Sequence, residues 1–151
     1  MSAFDAVISA LAPKAADELE GVQVLDGWDR EKDLADLVLV LGFAPTPGTP
    51  AGTVRRDEDA DGFGTVETVT IACTAASWDG DLDYAGKGTQ VADLLTRLRD
   101  LLAAESRADR RLGGTVLRAY LGTASQWYRE VDERGATVQC DFAVVAEVHG
   151  P

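Results

Sequence analysis

The segment Thr89 to Glu105, TQVADLLTRLRDLLAAE, decides how this chain is read. At about 100° per residue, Val91, Leu94, Leu95, Leu98, Leu101 and Leu102 fall within one arc roughly 120° wide. Asp93, Thr96, Arg97 and Asp100 take the opposite arc, and Asp93 with Arg97 makes an i,i+4 pair that also suits the helix dipole. The spacing predicts an amphipathic helix with Thr89, after Gly88, as its N-cap. Arg107, Arg110 and Arg111 before Gly113-Gly114 supply a cation-rich exit and a stop. Burying six aliphatic side chains contributes on the order of 10 kcal/mol gross, before the conformational entropy that opposes it. An apolar face of that size needs a cover.

Working outward, strands stand on both sides of this helix. Glu67 to Ala75 alternates, with Val69, Ile71, Cys73 and Ala75 on one face and Thr68, Thr70 and Thr74 on the other. Downstream, Val116, Arg118 and Tyr120 begin another strand. A closing hairpin is predicted from Ser125 to Val148 around Asp132-Glu133-Arg134-Gly135. In its second arm Ala136, Val138, Cys140, Phe142, Val144, Ala146 and Val148 share one face. Upstream, Leu37 to Leu41 is a continuous apolar run, which predicts a strand covered on both faces, central in the sheet or sealed by a neighbouring subunit. Val22 and Val24 read as a short first strand closed by Asp26-Gly27. Before them, Ser2-Ala3-Phe4-Asp5 resembles a shortened capping box, and Phe4, Val7, Ile8 and Leu11 repeat at helical spacing up to Pro13, which is expected to end or kink the helix. The fold class is therefore α+β, one domain over residues 1–151, with a mostly antiparallel sheet packed against an N-terminal helix and the central amphipathic helix.

One region breaks the pattern. Between Phe43 and Gly64 stand Pro45, Pro47, Gly48, Pro50, Gly52, Gly62 and Gly64, and residues 44–65 are read as a long exposed loop. Arg55-Arg56 lies beside Asp57, Glu58, Asp59 and Asp61, so the loop is a candidate contact arm; a solvated loop without a role is the plainer alternative. Trp28, Trp78 and Trp127 sit at strand ends, where aromatics form core edges or anchor interfaces. The candidate interface set is Trp28, Phe43, Arg55, Arg56, Asp57, Asp59, Asp61, Trp78 and Trp127.

The chain has 151 residues, 46% hydrophobic content and a formal net charge of −12. That length buries one good core. The acidic balance argues against tight binding to a nucleic-acid backbone or an anionic membrane, and fits either a solvated monomer or a surface past which DNA slides. No apolar run approaches the ~18 residues of a membrane span, and MSAFDAVISALAP lacks a basic segment and a cleavage site, so a cytoplasmic protein is expected.

The order of these elements resembles the tail terminator proteins of long-tailed phages. The likeness lies in an N-terminal helix, the VQVLDGW strand and turn at 22–28, a buried strand, a Pro/Gly-rich loop, the ETVTIAC strand, a helix like TQVADLLTRLRDLL and a closing hairpin. It spans nearly the whole chain. The resemblance implies a structural virion protein of the tail and neck, assembled in the host cytoplasm. By it the protein forms a hexameric ring on the last ring of tail-tube protein, stops polymerisation and offers a joining surface to the head-tail connector. DNA passes through the lumen without specific binding. The resemblance carries over no catalytic residue, metal or cofactor. Alternatives are another neck component, such as a head-completion or connector protein, or an acidic protein-binding module.

Catalytic patterns are weak. The one histidine, His149, is two residues from the chain end, and Ser77 and Ser125 lack a nucleophile-elbow context. Gly86-Lys87-Gly88 runs into a helix without the rest of a phosphate loop. Cys73 and Cys140 lie on apolar strand phases and read as buried thiols. Asp79, Asp81 and Asp83 form an acidic loop without a His or Cys partner nearby. Asp57-x-Asp59-x-Asp61-Gly62 begins like a calcium loop, but its twelfth position is Thr68 in place of the bidentate carboxylate and its eighth is Gly64. Millimolar Ca²⁺ is accordingly expected to leave the melting temperature unchanged; a clear rise with one-to-one binding would show that the incomplete motif binds after all.

Overall fold

Two long alternating stretches form the centre of the sheet. In the computed structural model, which describes residues 1–28, 34–58, 65–78, 81–133 and 135–149, β4 (Thr65–Trp78) pairs antiparallel with β7 (Gly135–His149), from Val66 opposite His149 to Trp78 opposite Thr137. Each strand is longer than any other partner, so each takes two neighbours along its outer edge. β2 (Leu37–Leu41) lies against the C-terminal half of β4, and β3 (Gly52–Glu58) against the N-terminal half. β6 (Gln126–Asp132) lies against the first half of β7, and β5 (Arg118–Leu121) against its second half. β1 (Gln23–Asp26) adds to β2 in parallel, which completes a sheet of seven strands; every other pairing is antiparallel.

Both long helices cover one face. α1 (Ala3–Glu18) packs on β1, β3 and β4, and α2 (Tyr84–Glu105) on β4, β5 and β7. Alternation puts Val69, Ile71, Cys73 and Ala75 of β4 beside Val138, Cys140, Val144 and Ala146 of β7 in a single core with Val91, Leu94, Leu98, Leu101 and Leu102 of α2. Leu95 is packed only at the margin of this core. Ser2 caps α1 by accepting the Asp5 N–H at 3.0 Å. Pro13 does not end α1: it is exposed, while Val7, Ile8, Leu11 and Ala15 on the opposite face are buried against the sheet and hold the helix together.

Three expectations are corrected. α2 starts earlier than Thr89, because Asp83 caps it by accepting the Gly86 N–H at 2.9 Å. Gly86 is required there, since a Cβ would collide with the Asp83 carboxylate. Lys87 is then buried at 2% exposure, ion-paired to the Asp81 side chain and donating to the Asp81 carbonyl at 3.2 Å, so a charged residue sits in the first turn of the apolar helix. At the other end α2 stops at Ser106, whose hydroxyl accepts the Ala119 N–H at 2.8 Å and ties the helix to β5; the four-residue turn α3 (Arg111–Gly114) follows. Lastly, residues 44–65 are not one loop, since 52–58 form β3 on β4. Its Pro/Gly-rich entry hides this. Gly52 is admitted beneath the Phe4 ring, where a Cβ would also meet the Thr70 carbonyl, and β4 supplies the ladder. The tip, 59–64, lies outside the described residues.

Leu98 is fully buried at the centre of the core. Leu98→Ala is expected to lower stability by about 2–5 kcal/mol, and Leu98→Asp to leave the chain unfolded, as circular dichroism and melting curves would show. Burial also pushes the Cys73 thiol up to about 12 and the Cys140 thiol up to about 11. The folded state therefore holds these protons more tightly than the unfolded chain, whose thiols ionise near 9.0. Their contribution is fully present below pH 9 and is lost as pH rises from there toward 11 to 12. Denaturant midpoints should fall across that window, and an aromatic disulfide reagent at pH 8 should label neither thiol until the protein unfolds.

Candidate assembly interface

The face of the sheet away from the helices is the one large surface without a layer over it among the described residues. Most of it is polar. Arg118 of β5 stands directly opposite Glu147 of β7, with hydrogen bonds of 2.7 and 2.9 Å, and lies over the Tyr120 ring. This contact holds the Glu147 carboxyl below the usual carboxylate range and raises the Arg118 guanidinium. Further along, Thr74 donates to Asp141 at 3.1 Å and Gln139 to the same carboxylate at 2.9 Å. Polar ladders of this kind suit contact with water or with another polar surface, since each partner is satisfied before anything docks.

The corner at β1 and β2 is different. Leu25, Val38, Val40 and Ala76 form a second buried cluster on this face, with Leu34, Phe43 and Trp78 packed against it. The apolar run at 37–41 is explained by this: Leu39 and Leu41 enter the main core, while Val38 and Val40 enter the small one. Trp28 stacks on Phe43 with centroids 5.8 Å apart. Trp28, Val40, Phe43, Pro45, Thr74 and Gln139 line an open recess of about 200 Å³. Pro45 to Pro47 continues across the sheet toward Tyr128 and Glu130 of β6. Trp28 remains 40% exposed, so this corner ends in a half-open aromatic edge.

The predicted interface residues thus separate into groups. Trp28 and Phe43 stack at one end of the small cluster, and Trp78, level with Asp36, packs against its other end. Trp127 is elsewhere, 46% exposed on β6 and facing the helix side of the sheet, where its indole N–H donates to Ser125 at 3.2 Å. Arg55, Arg56 and Asp57 lie on β3. Within the chain Arg55 pairs with Asp57 at 3.0 Å on the exposed surface, and Arg56 with Glu67 across the ladder at 3.2 Å. Asp59 and Asp61 lie outside the described residues. The signal missed in the sequence is β6, whose seven residues are all exposed, with Trp127, Tyr128 and Val131 among them.

Two residues weighed for catalysis, Ser77 and His149, lie far apart. Ser77 is buried and donates to Gln90 at 2.6 Å. His149 stands level with Val66, eleven residues along β4 from Ser77 or about 36 Å. Among the described residues no group of three or more His, Cys, Asp or Glu side chains is placed to hold a metal ion. No helix there is long and apolar enough to cross a membrane.

No protein-family profile matches this chain, and no curated protein does. A match in fold does exist among solved structures. The chain is similar to one in the virion of a native gene transfer agent particle, with 20% identity and a TM-score of 0.56 over 97% of this chain and 93% of that one. The two share an architecture from end to end.

Proposed function

We propose that this protein is a structural virion component that assembles as a ring on the end of a tail tube, stops tube growth and presents the joining surface to the head. The observation that carries the reading is the likeness in fold over 97% of the chain to a chain of a gene transfer agent virion. The element order read from the sequence supports it. So does the distribution of surface: a polar, helix-free sheet face, an aromatic corner and two exposed strands. In this reading the protein is not an enzyme. Its partners are further copies of itself in a hexamer, the tail-tube protein and the head-tail connector, and DNA passes the acidic ring without specific contacts.

Another neck component shares these surfaces, and the two readings differ in where the protein sits. The native mass of the purified protein should be six times the chain mass, alone or on addition of tail tubes. Electron microscopy should then show it at the head-proximal end of tubes, with overlong tubes forming in its absence. Tubes of normal length without it, and binding to head connectors only, would replace the terminator reading by a connector one. A protein that stays monomeric and never joins particles would overturn both.

A further inference from the structure

The described sheet ends in four outer strands. β1 and β5 have four residues each, whereas β3 and β6 have seven, with residues 53–57 of β3 and all seven of β6 exposed. β3 is paired only with β4, and β6 only with β7. Each thus presents one row of backbone N–H and C=O groups with no strand beside it among the described residues. Such edges are blunted by charged side chains, Lys above all, and by Pro; GTVRRDE and QWYREVD contain no Lys or Pro, and their charges are of both signs, so the two edges can complement each other.

Resting on the ring reading, we infer that copies join head to tail by antiparallel pairing of β3 with β6 of the partner subunit, Val54 opposite Val131 and Arg55 opposite Glu130. Direction comes first. β3 runs antiparallel to β4, β4 to β7 and β7 to β6, so β3 and β6 run opposite ways in one chain. A neighbour related by rotation about a ring axis keeps that sense, and the new ladder is antiparallel.

Register follows from faces. Val54 and Arg56 share the helix side with Val69 and Glu67, and Trp127, Arg129 and Val131 share it with Cys140, Val138 and Ala136. A ring keeps all helices on one side, so helix-side residues must meet helix-side residues, which removes every second register. Of those left, the register that overlaps residues 52–58 with 127–133 sets Val54 on Val131 on one face and Arg55 on Glu130 on the other. Arg56 then stands directly opposite Arg129, a like-charge pair offset by the contacts each already has: Arg56 is held by Glu67 and Arg129 lies over the Tyr84 ring at 5.5 Å. Self-pairing of either edge is isologous and stops at a dimer, and when fully overlapped it also sets Arg55 on Arg55 or Arg129 on Arg129 with no Arg–Glu pair on the other face to offset it. Opposite, not identical, edges therefore meet, which is the condition for a ring.

Cross-linking tests this. In one chain Val54 is level with Ala146 and Val131 with Ala136, ten residues apart along β7 or about 33 Å, so the two cannot bridge within a molecule. Both are exposed, at 47% and 62%, and their replacement leaves the core intact. Mild oxidation of the Val54→Cys, Val131→Cys double variant should give a ladder of covalent oligomers on a non-reducing gel, with no ladder from either single variant. Independently, Arg55→Glu and Glu130→Arg should each lower the assembled fraction about fivefold or more, and the double reversal should restore it. A ring of unchanged native mass with neither ladder nor mutual rescue would overturn the edge pairing and leave the ring reading standing. A parent protein that is monomeric both alone and with tubes would overturn the two together.

Discussion

Everything else in this structure hangs on the antiparallel pairing of β4 with β7. Thirteen residue pairs run from Val66 opposite His149 to Trp78 opposite Thr137. Because both strands outrun their neighbours, the pair acts as a spine with two shorter strands along each side. It also fixes which face is apolar. Even-numbered residues of β7 and odd-numbered residues of β4 all turn toward the helices, and a slip of one residue would turn them all away. The core of α1 and α2 can close only when this register is set.

The spine also creates the protein's asymmetry. Helices occupy one face, and the other keeps polar cross-strand pairs such as Arg118 with Glu147 and Thr74 with Asp141. Among the described residues the second face becomes apolar at β1 and β2, where Val38 and Val40 are sealed by Leu25, Ala76, Leu34, Phe43 and Trp78. A domain with one solvated face, one aromatic corner and two open edges has more surface suited to other proteins than to a small molecule. That distribution is what the proposed ring would use.

Charge is handled locally throughout. Buried Lys87 is neutralised by Asp81 and ties the loop at 81–83 to the first turn of α2. Buried Glu105, at the far end of the same helix, faces Lys14 at 3.4 Å and Arg110 at 3.6 Å, which links α1, α2 and the turn after it. Removing one member of such a pair would leave a buried charge uncompensated, so the pairs act as registration points between elements even where their net contribution is small. The same habit extends to β3, where Arg55 pairs with Asp57 and Arg56 with Glu67.

Local pattern determined a good deal of this protein. Periodicity marked α1, α2, β4 and β7 and named their buried faces, because side-chain alternation follows directly from backbone geometry. Alternation likewise placed Cys73 and Cys140 in the core. Leu37 to Leu41 declared itself a strand covered on both sides, though not what would cover it. The rest needed the tertiary structure. β3 has the composition of a loop and becomes a strand only because β4 offers a ladder and Phe4 leaves room for Gly52 alone. Asp83, not Thr89, caps α2, since the helix gains two turns once Lys87 can be buried against Asp81. Trp28 stacks on Phe43, Trp78 packs on the other end of the same small cluster and Trp127 stands apart, because such placement depends on which strands become neighbours, and strand order is not written in the periodicity of any one strand.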